Sequence, residues 1–280
     1  PGTVSNWGAG QNQPATTATV DTYGTYVFSW FESNGNGYCT DTADITVNFY
    51  LQPIANAGSG GDACAQSFAV NAVPSIPPAS QDGYTTQWTM TAGPGTVTSW
   101  GAGQDQASTT ITVDTYGTYQ FTWTESNGTG TCSDADAIIV NYYRQPVANA
   151  GSGGDECDLD FVLSATASVP IGDRDGYSAT WSYVGPGTVI SWSSGQTSPT
   201  TTVTVDTYGA YQFTWNESNG SGVCTDNQAI NVNFYEQPTA VAGAPLTDVC
   251  RDSALIPIPL QGTIGGGASQ GFWSVASGGG

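Results

Sequence analysis

The chain has 280 residues, of which 23 are acidic and 3 are basic, so its formal net charge is −20. Such a chain repels the phosphates of nucleic acids and the headgroups of anionic lipids, so neither is expected as a partner. No apolar stretch approaches the roughly 18 residues of a membrane-spanning helix, so direct membrane insertion is not expected either.

The composition also argues against catalysis. The chain contains no histidine, and its three basic residues are all arginine. Serine–histidine and cysteine–histidine dyads, the common zinc sites and Schiff-base lysines therefore cannot form. The remaining option, a pair of carboxylates, is disfavoured because the acidic residues recur together with the turns. The chain is predicted not to be an enzyme.

The sequence repeats with a period of 92 to 93 residues. The motif Asp-Thr-Tyr-Gly begins at Asp21, Asp114 and Asp206, and many other motifs return at the same spacing. Proline-containing linkers divide these copies, because proline stiffens the chain and removes a backbone donor. The predicted division is the C-terminal part of a repeat at 1–52, complete repeats at 53–145 and 146–237, and the N-terminal part of a further repeat at 238–280.

Within each repeat, apolar and polar residues alternate with the period of a β-strand. In chain order, the repeat 53–145 has three alternating apolar sets: Phe68, Val70 and Ala72; Tyr119, Phe121 and Trp123; Ile138, Val140 and Tyr142. About seven short strands per repeat, separated by turns rich in Gly, Asn and Pro, predict an all-β fold. The predicted architecture is a series of antiparallel, Ig-like or PKD-like β-sandwich domains placed end to end.

Two details sharpen the sandwich prediction. Trp88 and Trp181 lie on the third predicted strand, where immunoglobulin-like folds bury a tryptophan. Gly117-Thr118-Tyr119 matches the start of the sixth strand, where such folds carry a tyrosine whose hydroxyl bonds back to the chain.

The order of motifs in each repeat resembles a known family. Ala-Asn-Ala-Gly is followed by Asp-x-Cys, then by Gly-Thr-Tyr-x-Phe, and finally by Asn-Gly-x-Gly-x-Cys. This pattern is similar to the PKD-like and Ig-like tandem repeats of long secreted adhesins or filaments of Bacteroidota. The resemblance covers the whole chain and implies a spacer, an adhesive module or a filament subunit outside the cell.

The six cysteines fall into two classes, one with Cys39, Cys132 and Cys224, the other with Cys64, Cys157 and Cys250. Their regular spacing and the lack of CxxC pairs favour disulfides over metal ligands. The favoured pairs lie within a repeat, Cys64–Cys132 and Cys157–Cys224, with Cys39 and Cys250 pairing outside the sequence. The alternative is a pair across a junction, for example Cys39–Cys64, which requires the chain to double back.

The acidic residues next to the cysteines are candidate calcium ligands. Asp62, Asp155 and Asp248 precede one cysteine class, and glutamates such as Glu125 close the sixth strand. Carboxylates and backbone carbonyls at domain junctions are suitable ligands for Ca²⁺, the only candidate cofactor. The alternative is that these residues form caps and turns and add solubilising charge.

Trp7, Trp100 and Trp192 recur beside turns rich in Gly and Ser. They are candidates for stacking against sugars or for contacts between subunits. The alternative, which we favour, is that each packs over the edge of its own sandwich. Asn127-Gly128-Thr129 also fits the N-glycosylation pattern.

The sequence therefore predicts an extracellular or cell-surface fibre or stalk of tandem repeats. Its expected partners are further copies of the same repeat, as a homopolymeric filament. The alternative function is an adhesin array that binds glycans or a cell-surface ligand.

Overall fold

A computed structural model describes residues 2–245 and 257–278. Within these ranges the chain forms twenty β-strands and two short 3-10 turns, and no α-helix. All but two of the strand pairs in the sheets are antiparallel. The predicted all-β class is confirmed.

The repeat 53–145 contains seven strands in two sheets. One sheet has four strands and the other has three, and the two sheets enclose one apolar cluster. The strands are β5 (Gly61–Ala63), β6 (Ser67–Asn71), β7 (Thr85–Ala92), β8 (Val97–Trp100), β9 (Ser108–Val113), β10 (Gly117–Asn127) and β11 (Cys132–Tyr142). The strand orders are β5-β11-β10-β7 and β6-β9-β8. The predicted number of strands per repeat is confirmed.

The repeat 146–237 has the same arrangement around a second apolar cluster. Its strands are β12 (Gly154–Glu156), β13 (Asp160–Ser164), β14 (Ser178–Val184), β15 (Val189–Trp192), β16 (Thr200–Val205), β17 (Gly209–Asn219) and β18 (Cys224–Phe234). The strand orders are β12-β18-β17-β14 and β13-β16-β15. A 3-10 turn precedes the third strand of each repeat, at Pro78–Ser80 and at Ile171–Asp173.

Shorter sheets lie on either side of these two repeats. The N-terminal segment pairs β1 with β2 and β3 with β4, and the C-terminal segment pairs β19 with β20. Their bounds are β1 (Val4–Trp7), β2 (Ala18–Val20), β3 (Gly24–Ser33), β4 (Thr40–Phe49), β19 (Thr239–Val241) and β20 (Thr263–Gly265).

The core follows from the alternation in the sequence. On β10, residues Tyr119, Phe121 and Trp123 are all fully buried, while the residues between them face outward. Trp88, on the third strand of its repeat, is also fully buried, and its ring lies 5.2 Å from that of Trp123. The prediction of a buried third-strand tryptophan is confirmed, and Ile139, on the opposite face of β11, is 56 % exposed.

The predicted tyrosine corner is present. The hydroxyl of Tyr119 donates to the carbonyl of Thr115 at 2.8 Å, and that of Tyr211 donates to Thr207 at 3.0 Å. The N-terminal segment has the same bond from Tyr26 to Thr22, at 2.9 Å. Burial raises the pKa of the Tyr119 hydroxyl, which therefore stays a donor over the physiological range.

One feature of the fold departs from a purely antiparallel sandwich. The first strand of each repeat pairs in parallel with the last, β5 with β11 and β12 with β18. Glycine allows this approach, because a Cβ at Gly60 would lie 1.8 Å from the carbonyl oxygen of Ile139. The matched Gly153 has the same relation to Asn231. The two ends of the chain within a repeat therefore run alongside each other in one direction.

By internal contacts the chain separates into two compact units, Pro1–Arg144 and Gln145–Gly280. Across the described residues, none of the helical turns is long or apolar enough to span a bilayer.

Candidate functional site

The linker that enters the repeat 53–145 is bonded to that repeat along its length. The side chain of Gln52 donates to the carbonyl of Ser133 at 2.7 Å, and the amide of Ile54 donates to Ser75 Oγ at 2.9 Å. The amide of Ala55 then donates to the carboxylate of Asp134 at 2.8 Å. Pro53, which has no amide hydrogen to satisfy, is buried between them. We call residues 51–57 with these partners the linker clamp.

The linker clamp continues at Ala57, four residues before the first strand of the sandwich, β5. The amide of Ala57 donates to the carboxylate of Asp136 at 2.9 Å, and Ala57 itself is fully buried. Hydrogen bonds to a carboxylate are stronger than bonds between neutral groups. The segment between repeats is therefore an ordered part of the structure and not a flexible tether.

The same clamp occurs in the second unit. Gln145 donates to the carbonyl of Thr225 at 2.8 Å, and Val147 donates to Ser168 Oγ at 2.9 Å. Ala148 donates to Asp226 at 2.8 Å. At the last position Ala150 donates to a glutamine oxygen, Gln228 Oε1, at 2.7 Å, where the first repeat has an aspartate.

The side chain of Glu125 accepts several hydrogen bonds inside the sandwich, at the end of the repeat that the linker enters. Its carboxylate is fully buried and accepts bonds from Trp123 Nε1 at 3.0 Å, from Tyr84 Oη at 2.9 Å, and from Ser75 N and Oγ at 3.0 and 2.5 Å. Burial, and then the bond to Glu125, raise the pKa of Tyr84. Because Ser75 also accepts from Ile54, the buried carboxylate supports the linker directly. The alternatives of calcium ligand or solubilising charge are both wrong for this residue.

Glu217 repeats this arrangement in the second repeat. It is 2 % exposed and accepts bonds from Trp215 Nε1 at 2.9 Å and from Ser168 N at 3.0 Å, as well as from Ser168 Oγ. A signal in the sequence could have identified both residues. Each glutamate lies two positions after the buried tryptophan of its strand, on the same face of the alternation.

The hairpin between β10 and β11 contacts the end of the preceding repeat. Asn127 is fully buried and donates from Nδ2 to the carbonyls of Ser80 at 3.0 Å and of Leu51 at 3.2 Å. Gly128 has a φ of 64°, and a Cβ there would lie 2.3 Å from the ring of Tyr50. Glycosylation of Asn127 is incompatible with this burial.

The aspartates predicted as calcium ligands are used in cross-strand bonds. Asp62, on β5, accepts from Asn141 Nδ2 at 2.8 Å, and Asp155, on β12, accepts from Asn233 Nδ2 at 2.7 Å. Asp248 lies outside the described residues. Among residues 2–245 and 257–278 there is no group of three or more His, Cys, Asp or Glu side chains that could hold a metal ion.

The recurrent tryptophans pack against their own sheets. Trp7, Trp100 and Trp192 are half-buried. Their rings meet those of Phe28, Phe121 and Phe213 edge-on, at 5.9, 6.1 and 6.3 Å. A ring held edge-on in the sandwich leaves little of its face for stacking on a sugar.

Neither of the favoured disulfides is formed. Cys132 and Cys157 are free thiols, while Cys64 and Cys224 are disulfide-bonded. The reason is the parallel pairing of β5 with β11. Cys132 is the first residue of β11, whereas Cys64 follows Ala63, and Ala63 lies opposite Tyr142 at the other end of β11. At ~3.3 Å per residue these ends are roughly 33 Å apart, far beyond the ~4.4–6.8 Å between the Cα atoms of a disulfide. The alternative Cys39–Cys64 pair is not formed either, because Cys39 is free.

An open apolar surface lies in the N-terminal segment. A cavity of about 420 Å³ there is lined by Trp7, Phe28, Trp30, Ile45, Val47 and Phe49, among others. The matched residues of the repeat 53–145 form its apolar core, for example Phe121 and Val140. The cavity is therefore the inner face of a sheet and does not resemble a dedicated ligand pocket.

Exposed aspartates fix the turn before the sixth strand. Asp114 accepts from the amide of Thr96 at 2.8 Å and from its hydroxyl at 2.7 Å, and these bonds lower its pKa. Asp206 has its pKa lowered by the hydroxyl and then the amide of Thr188. The N-terminal segment has the same pair, Asp21 and Thr3.

No protein-family model matches the sequence, and no curated protein does. Among solved structures, the I-band fragment I67–I69 from titin is 14 % identical, with 67 % of each chain covered and a TM-score of 0.35. Sidekick-1 immunoglobulin domains 1–4 are 9 % identical, covering 79 % of this chain and 70 % of that one, with a TM-score of 0.38. Drosophila N-cadherin EC1–3 is 13 % identical, covering 70 % and 73 %, with a TM-score of 0.28. The assignment of the fold rests on the sheets described above.

Proposed function

We propose that this chain is part of a structural extracellular stalk or fibre, made of tandem β-sandwich repeats on a bacterial cell surface. The observation that carries the proposal is the linker clamp. Amides of the linker bond to side chains of the following repeat at matched positions, Ala55 to Asp134 and Ala148 to Asp226. A stalk that holds its far end at a distance needs ordered linkers of this kind. A flexible tether does not need them.

The composition and the cysteines support a location outside the cell. Disulfide-bonded cysteines persist in oxidising compartments, and Cys64 and Cys224 are bonded. The proposed partners are further copies of the same repeat. In a repeat array each copy contacts only its neighbours, so the array can lengthen by duplication of the repeat. We propose no catalytic role.

Hydrogen exchange tests the proposal at the junction before residue 53. In the wild type, the amides of Ala55 and Ala57 should exchange slowly, and Asp134→Ala should speed exchange at Ala55 by at least about tenfold, as expected for losing ~1.5–3 kcal/mol of a charged hydrogen bond. Asp105→Ala, on an exposed loop, is the control. Fast exchange of these linker amides in the wild type would contradict an ordered stalk.

The second candidate is an adhesin array that binds glycans through the recurrent tryptophans. The observation that favours this second candidate is that the side chain of Trp100 is half-exposed. Titration of a glycan panel against the full chain decides between the two. We expect no saturable binding, whereas saturable binding that is lost in Trp100→Ala would replace the spacer with the adhesin.

A further inference from the structure

Three strands of the N-terminal segment each have an edge that a complete repeat uses for pairing. At a spacing of 93 residues, β2, β3 and β4 match β9, β10 and β11 of the repeat 53–145. In that repeat β9 also pairs with β6, β10 with β7, and β11 with β5. Within residues 2–52 the matching strands form only the two-stranded sheets β1-β2 and β3-β4. Three strand edges therefore remain open, and an open edge is a template for pairing with another chain.

The face between these edges is apolar and uncovered. Ile45 and Val47 line its cavity of about 420 Å³, and Ile45 is 63 % exposed. The match of Ile45 in the complete repeat, Ile138, is only 5 % exposed. There the same face is covered by Val70 of β6 and Trp88 of β7, which belong to the same apolar cluster. The complete repeat therefore shows what kind of chain fits this face, namely the first half of a repeat.

The uncovered half already has the internal arrangement of the covered one. Trp30 Nε1 donates to Glu32 at 2.8 Å, as Trp123 Nε1 donates to Glu125 at 3.0 Å. The tyrosine corner of the N-terminal segment is formed as well. A surface that is organised before its partner arrives loses less conformational entropy on binding. The N-terminal segment is therefore a preformed acceptor.

The polar groups that hold the first half of a repeat also recur on this acceptor. In the complete repeat, Glu125 accepts from the hydroxyl of Tyr84 at 2.9 Å, and Asp134 accepts from the linker at 2.8 Å. Their matches in the N-terminal segment are Glu32 and Asp41, and both are exposed. The same donors on a docked segment would therefore find acceptors at the same positions.

We propose that the N-terminal segment is a docking site for the first half of a repeat from another chain, which adds three strands and completes a sandwich. The partner carries a short Gly-rich strand that pairs in parallel with β4, an alternating apolar strand like that of Phe68 and Val70, and a strand with a tryptophan like Trp88. Main-chain hydrogen bonds to the open edges supply affinity, and the side chains that fill the apolar face supply specificity. Docking of this kind rests on the proposed stalk function and names how one chain joins the next.

A peptide of residues 53–93 is a suitable probe, because it contains β5, β6 and β7 together with the linker before them. It is synthesised with Cys64→Ser, which prevents disulfide formation, and with a fluorophore at its N-terminus. Fluorescence anisotropy follows its titration with the full chain. We expect saturable one-to-one binding. A peptide that also carries Trp88→Ala should bind at least about tenfold more weakly, because a buried tryptophan dominates the energy of such a contact.

Two matched variants of the chain locate the site. Ile45→Asp places a charge on the open face and should weaken binding of the peptide at least about tenfold, because docking would bury that charge. Val27→Asp places the same charge on the opposite face of the hairpin and should leave binding unchanged. Ile45 and Val27 are 63 % and 60 % exposed, so neither charge is buried in the chain alone and both variants should fold.

Three results would overturn the proposal. A lack of saturable binding would show that the first half of a repeat does not dock. Equal binding to Ile45→Asp would place the peptide at another part of the chain. Dimerisation of the chain alone that excludes the peptide, measured by sedimentation, would mean that a second N-terminal segment covers the face. The hydrogen-exchange test at Ala55 and Ala57 uses the chain without the peptide, so failure of the stalk and failure of the docking site are distinguishable.

Discussion

The N-terminal segment and the second half of the repeat 53–145 share nearly the same motifs but differ in burial. Trp123 is fully buried, whereas the matched Trp30 is 39 % exposed. The contrast is larger on the last strand, where Ile138 is 5 % exposed and Ile45 is 63 % exposed.

The difference comes from the strands that cover the sheet. In the complete repeat β10 pairs with β7 as well as β11, and β6 of the second sheet closes over the core. Within residues 2–52, β3 pairs with β4 alone. The same local sequence therefore forms the same hairpin and tyrosine corner in both places, but only the covered hairpin becomes a core.

The largest expected effect tests this comparison at the tryptophan. Trp123→Ala should lower the free energy of unfolding of its repeat by ~3–5 kcal/mol, as expected for truncating a buried tryptophan. Trp30→Ala should cost no more than about 1 kcal/mol, because its ring is partly exposed already. Hydrogen exchange at increasing urea, followed in peptides from each region, measures both. Equal losses would mean that the two tryptophans have the same environment in solution.

A smaller effect is expected at the glutamate of the same strand. Glu125→Gln should destabilise its repeat by about 2–3 kcal/mol, because an amide cannot accept all the bonds that the buried carboxylate accepts. The control is Glu32→Gln, since Glu32 is exposed and accepts from Trp30 Nε1 at 2.8 Å. It should change stability by less than about 0.5 kcal/mol. Urea denaturation followed by tryptophan fluorescence tests the pair, and a neutral Glu125→Gln would show that the carboxylate is dispensable.

The smallest effect should be the same in the two regions. Asp114 and Asp21 both have a lowered pKa in the folded chain, so each adds stability above the unfolded pKa of about 3.9, and this is lost as the pH falls through the folded pKa. The melting temperature should therefore fall below about pH 4, and less steeply in Asp114→Asn and Asp21→Asn than in the wild type. Calorimetry across this range checks it. A steeper fall in either variant would contradict the assigned bonds to threonine.

Local patterns in the sequence were enough to predict the strands and the corner. The alternation of Tyr119, Phe121 and Trp123 requires only the period of a strand, and the bond from Tyr119 to Thr115 spans four residues. These features depend on near neighbours in the chain, which is why they recur in the N-terminal segment.

Features that depend on distant strands were not predicted. The disulfide pairs within a repeat were wrong because Cys64 and Cys132 lie at opposite ends of β11, and this follows from the parallel pairing of β5. The burial of Glu125 was missed because charged residues usually face solvent. Its position two residues after Trp123, on the inward face, was the available signal. The bond from Ala55 to Asp134 could not be predicted, because it requires knowing where the linker lies against the last strand of its repeat.

The parallel course of the first segment along β11 has a mechanical consequence. From Ala55 to Ala63 the entering chain follows β11 in the same direction, bonded at Asp134 and Asp136 and paired again from Val140 to Tyr142. Tension applied at the two ends of the repeat would slide these segments past each other, loading their hydrogen bonds together instead of opening them one by one. Because forced unfolding is governed by the unfolding rate, such shear loading can make a domain strong without making it more stable. The direction of one three-residue strand would then set the force that each repeat withstands.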